Sequence, residues 1–101
     1  MGSKRRKKRS KLIIVFDLLK NIEGGMNKTN LMYRTNLSYA LLEKYLKALM
    51  DKGLVIQDGK VYKLTEKGHL ILRKLEELFS LHKEIAEIRE YIKDQIGDIE
   101  A

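Results

Sequence analysis

The chain has 101 residues, 44% of them hydrophobic, which gives one domain with a small core and little apolar surplus. It has no cysteine, and its longest apolar run, "LIIVF", meets Asp17 at once; a disulfide framework, a thiolate metal site, a membrane span and a secretory leader are therefore not expected. The net charge of +7 is unevenly spread, with 15 Lys/Arg against 5 Asp/Glu in residues 1–64 and 6 against 9 in residues 65–101, so a polyanionic partner engaged by the front of the chain is expected.

Residues 1–10 lack apolar periodicity and contain "KRRKKR", Lys4 to Arg9, whose like charges predict a disordered basic arm. Ser10 caps a first helix to about Ile22, with Leu12, Val15, Phe16, Leu19 and Ile22 on its inner face. Gly24 and Gly25 end it. A short second helix runs from Lys28 or Thr29 to about Thr35 and turns Leu31 and Met32 inward. "NLS", 36–38, is a tight turn, and Ser38 caps a third helix to about Lys52. Leu42, Leu46 and Leu49 share its inner face, flanked by Leu41, Tyr45 and Met50, and Gly53 ends it.

"LVIQDGKVYKL" changes the period from 3.6 to 2. Asp58-Gly59 between its two halves predicts a two-stranded hairpin closed by a type I′ turn. Thr65 caps the last helix. There Ile71, Leu75, Leu78, Leu81, Ile85, Ile88, Ile92, Ile96 and Ile99 step forward with a mean spacing of 3.5 residues, the period of a coiled-coil seam. Leu72 and Phe79 fall off this seam and can pack on the preceding domain. A helix of this length, roughly 45 Å at 1.5 Å per residue, outreaches so small a body. The distal isoleucines need a partner, and a second copy of the chain is the expected one; a fold-back onto its own domain can serve the proximal half only. The organisation is thus an arm (1–10), a helical domain with a hairpin (11–68) and a dimerisation helix (69–101).

Helix, short helix, turn, helix, hairpin, long helix is the order of a winged helix-turn-helix, a mainly α (α+β) fold whose third helix enters the DNA major groove. Turning the leucine stripe inward leaves Tyr39, Ala40, Glu43, Lys44, Lys47 and Asp51 outside. Tyr39 is expected at a phosphate or base edge, and Lys44 and Lys47 on phosphates, which set register without reading sequence. Tyr45 belongs to the core with its hydroxyl at the rim. Thr29 and Asn30 open the second helix, where free amides suit a phosphate, and Arg34 closes it. Gln57 and Lys60 form the wing tip, with Lys63 beside it. Arg5, Arg6, Lys7, Lys8 and Arg9 are expected to follow the minor groove. Each cation alone reads equally well as solvated surface; their placement on one side of one architecture favours duplex DNA.

The block "KTNLMYRTNLSYALLEKYLKALMDKGLV", followed by "YKLTEKGHLIL", closely resembles the archaeal winged helix-turn-helix DNA-binding proteins. It is most like the small chromatin-associated class, in which a C-terminal helix forms an antiparallel coiled-coil dimer. The resemblance covers about residues 11–99 and rests chiefly on "MYRTNLSY". It implies a cytoplasmic, nucleoid-associated homodimer that binds double-stranded DNA as an architectural protein or transcriptional regulator. Arg34, Ser38, Tyr39, Lys44 and Lys47 inherit the DNA-facing role; the "KRRKKR" arm has no counterpart in the family pattern and rests on charge alone.

An enzyme is not expected. His69 and His82 are thirteen residues apart on one helix without a third ligand at metal spacing, and "EGGMNKT" lacks the spacing of a P-loop. No cofactor, metal or small-molecule ligand is legible. The alternative is a winged-helix protein-interaction module whose coiled coil recruits another chain, motivated by the apolar seam and by Glu43 and Asp51 on the outer face.

Overall fold

The structure, a computed structural model, describes residues 9–97; the candidates Arg5, Arg6, Lys7, Lys8 and Ile99 lie outside the described residues. Helix α1 spans Lys11–Ile22, strand β1 Met26–Asn27, α2 Lys28–Thr35, α3 Tyr39–Asp51, β2 Val55–Asp58, β3 Val61–Leu64 and α4 Glu66–Ile96. Each helix begins with the same device. The side chains of Ser10, Asn27, Ser38 and Thr65 accept the backbone N–H of Ile13, Asn30, Leu41 and Gly68 respectively. Replacing one of these caps by alanine costs about 0.5–2 kcal/mol. Left-handed residues close two of the helices: Asn36, with φ 57°, follows α2, and Gly53, with φ 77°, follows α3.

The sheet has three antiparallel strands in the order β1-β3-β2, one more than the hairpin expected from sequence. Met26 pairs with Tyr62 and Asn27 with Val61, and so short a strand has no periodicity to betray it. The hairpin turn also differs. Asp58 pairs with Val61, so Gly59 and Lys60 are the central residues, and only Gly59 has a positive φ. That is the φ pattern of a type II′ turn, not type I′: glycine takes the left-handed position without steric cost, and Lys60 avoids it.

Leu18, Leu19, Ile22, Leu31, Leu42, Val55 and Leu72 are the largest fully buried side chains. Helix α1 is rotated from its expected orientation: Ile14 and Leu18 join Leu19 and Ile22 in the core, whereas Leu12 is exposed. The stripe 14, 18, 19, 22 has helical spacing as regular as the expected 12, 15, 16, 19, 22, so only packing distinguishes them. Truncating Leu18 or Leu42 to alanine is expected to cost about 2–5 kcal/mol.

Helix α4 joins this core through its first turns. Gly68 is buried against the Leu54 carbonyl, Leu72 and Leu75 are in the core, and Ile71 and Phe79 pack on its edge. The rings of Phe79 and Phe16 meet edge to face at 5.2 Å, a favoured aromatic geometry. An ionic strap closes the same junction: Lys20 and Arg73 both reach Glu76, at 3.1 and 3.3 Å, and Arg73 also reaches Glu23 at 3.1 Å. Two expected seam residues, Ile71 and Leu75, are therefore covered by their own domain. The boundary expected after residue 68 falls within the first turn of an unbroken helix. Beyond Leu78 the seam emerges, and Leu81, Ile85, Ile88, Ile92 and Ile96 are 48–56% exposed. No helix among the described residues is long and apolar enough to cross a membrane.

Candidate nucleic-acid interface

On α3 the exposed residues Ala40, Lys44, Lys47 and Asp51 fall within an arc of about 60° at 100° per residue. They form the ridge that Leu42, Leu46 and Leu49 hold outward by their own burial. Among the described residues, neither Lys44 nor Lys47 takes part in a salt bridge. Their charge is available to a partner.

Beside the ridge lies a small network. Tyr39, 57% exposed, sits one turn before Glu43, and Lys28 at the start of α2 forms an ion pair with that carboxylate. The Lys28 ammonium also stands 5.4 Å from the Tyr39 ring centroid, within cation–π range. The hydrogen bond from Lys28, followed by that from Tyr39, holds the Glu43 carboxyl below its ordinary pKa. Lys28 is correspondingly raised by its bond to Glu43, and the Tyr39 hydroxyl is raised by the same carboxylate. Glu43 is thus a neutralised, hydrogen-bonded group and not a bare anion on a basic face.

The other candidates divide into free and engaged groups. Thr29, Arg34 and Lys60 are exposed. The Asn30 amide, expected to be open to a phosphate, is already taken by the Asn27 side chain at 2.8 Å. Ser38 Oγ accepts from the Leu41 amide at 3.2 Å, leaving its hydroxyl proton as the group it can offer outward. In the wing, Gln57 Nε2 donates to the Gly59 carbonyl at 3.1 Å, and Lys63 pairs with Asp58 at 3.3 Å. Arg9 reaches Asp17 at 3.2 Å and the Thr35 carbonyl at 3.0 Å, so it fastens the chain to α1 and α2.

Two residues of this surface were not among the sequence candidates. Tyr33, 87% exposed, lies on the outer side of α2; the inward placing of Leu31 on a short helix was signal enough to find it. Lys28 had no such signal, because its partner Glu43 is 15 residues away in sequence.

A helix held outward beside a shorter helix, with a β-hairpin following, defines a winged helix-turn-helix. The chain belongs to the winged helix-turn-helix family, whose sequence profile matches residues 8–83. Over 75 residues it is 39% identical to the uncharacterized protein MJ0290 of Methanocaldococcus jannaschii, covering 73% of this chain and 36% of that one. Over 78 residues it is 36% identical to MJ0287 of the same organism, covering 76% of this chain and 80% of the relative. The chain thus spans about a third of the length of the first relative and four-fifths of the second. Among solved structures it is similar to Sso10a-2, a DNA-binding protein from Sulfolobus solfataricus. The TM-score is 0.77 at 25% identity, over 90% of this chain and all of that one.

Proposed function

We propose that this protein is a dimeric double-stranded DNA-binding protein without enzymatic activity, serving chromatin architecture or transcriptional control. Helix α3 lies in the major groove, the wing and the basic arm touch the flanking backbone, and the distal half of α4 pairs with a second copy as an antiparallel coiled coil. The observation that carries this reading is the α3 ridge, where Lys44 and Lys47 stand without carboxylate partners among the described residues. The similarity to Sso10a-2, a DNA-binding protein, supports it. Pairing with Lys28 removes Glu43 as an argument for a protein-interaction module, since that carboxylate is already neutralised.

Affinity comes mainly from lysine and arginine releasing counterions from phosphates, so binding weakens steeply with salt. A gel-shift titration with random-sequence duplex at low and moderate salt tests the reading. Nonspecific binding tighter than about 100 μM at low salt is expected; none at that concentration would exclude it.

A further inference from the structure

Between α1 and α3 a cavity of ≈ 300 Å³ opens to solvent. Val15, Tyr45 and Leu49 supply an apolar floor, and Lys11, Lys44 and Lys52 stand around it. Among the described residues none of the three lysines takes part in a salt bridge. All three are exposed, and a lysine at such a rim can lay its methylene stem along an apolar wall while its ammonium stays in water. Three like charges around one opening repel each other, and an anion at its mouth relieves that repulsion.

Size and polarity narrow the occupant. A volume of ≈ 300 Å³ is at the lower end for small-molecule sites and too small for a helix, which is about 10 Å across. A phosphodiester backbone has no apolar body to place on Val15 and Leu49, so duplex DNA does not fill this space. We propose that the cavity binds a small amphipathic carboxylate, its hydrocarbon body on the floor and its head among the three lysines. Lys44 also belongs to the α3 ridge, because α3 turns it to the border between ridge and cavity. A bound carboxylate therefore removes a cation from the surface assigned to phosphate, so the ligand antagonises DNA binding. That last step rests on the proposed function; occupancy of the cavity does not.

The test is titration of the full-length protein with decanoate, below its self-association concentration, followed by backbone amide NMR and calorimetry. One saturable site per chain is expected, with shifts centred on Val15, Ala48 and Leu49. Lys11→Glu with Lys52→Glu should weaken it about tenfold or more, as modest surface ion pairs add. Ala48→Trp, at an exposed position in the mouth, should abolish it, with circular dichroism confirming that each variant is folded. Absence of saturable binding overturns the proposal, as do shifts confined to the isoleucines of α4. Equal affinity for decanol overturns the anionic head. If decanoate binds as expected but leaves duplex affinity unchanged, the coupling through Lys44 is wrong and the site stands. If duplex does not bind with or without decanoate, the DNA-binding reading fails and not the cavity.

Discussion

Gly68 lies so close to Leu54 that a Cβ built on it would come 2.1 Å from the Leu54 carbonyl oxygen. The same oxygen accepts the Thr65 amide at 3.0 Å, so the first turn of α4 is clamped to the start of β2. The neighbour is backbone and cannot rotate away. Gly68→Ala should therefore destabilise the domain by about 1–3 kcal/mol, despite the better helix propensity of alanine. Gly24→Ala, where the added Cβ meets nothing within 4 Å, is the neutral control. Urea midpoints measure both, and an unchanged midpoint for Gly68→Ala would remove the clamp from the account.

On α4 the residues Ile85 and Ile88 are half exposed, a cost that the proposed pairing with a second copy would relieve. Ile85→Asp or Ile88→Asp should halve the mass seen by light scattering while leaving the domain folded. An unchanged mass would refute the coiled-coil dimer.

Lys28 and Glu43 should be coupled in DNA binding. Lys28→Ala leaves the carboxylate unscreened against phosphate and weakens binding; Glu43→Gln removes the anion and strengthens it. The double variant should depart from additivity, as contacting residues do. By contrast, Lys44→Ala and Lys47→Ala should each lower the salt slope by about one. Additive effects at Lys28 and Glu43 would show that their ion pair does not matter in the bound state.

The ionic strap between α1 and α4 gives a pH dependence with a definite sign. The hydrogen bond from Arg73 is the largest influence on the Glu23 carboxyl; partial desolvation opposes it, Lys20 and Arg73 add their charge, and the net pKa is lowered. Its stabilisation is complete above the unfolded value of about 4.3 and is lost as pH falls through the lower folded value. Lys20 is raised, chiefly by its hydrogen bond to Glu76 and then by that charge, so its share is present below about 10.4 and lost as pH rises through the higher folded value. Both effects are small, because these groups are solvated. Glu23→Gln should be less stable than the parent near pH 6, with the gap closing toward about pH 3. A gap that stays constant over that range would contradict the assignment.

The four helices and the two hairpin strands were legible. Ser10, Ser38 and Thr65 cap helices because a short side-chain oxygen can reach the amide three residues on. Leu42, Leu46 and Leu49 line one face of α3 because a helix repeats every 3.6 residues. The outward position of Tyr39, Lys44 and Lys47 follows from the same rule. These relationships run along the chain over at most a few turns, and the local order of residues carries them.

What remained illegible depends on residues far apart in sequence. Whether Leu12 or Ile14 faces inward on α1, whether Met26 and Asn27 pair with β3, and whether Ile71 and Leu75 face a second copy or their own domain are each decided by where another element lies. The Lys28–Glu43 pair and the lysine-edged cavity likewise exist only once α1, α2 and α3 are packed together. Local stereochemistry determined which segments are helix or hairpin strand and which way most of α3 faces. The tertiary structure decided how they meet, because close packing admits one arrangement among several that periodicity permits equally.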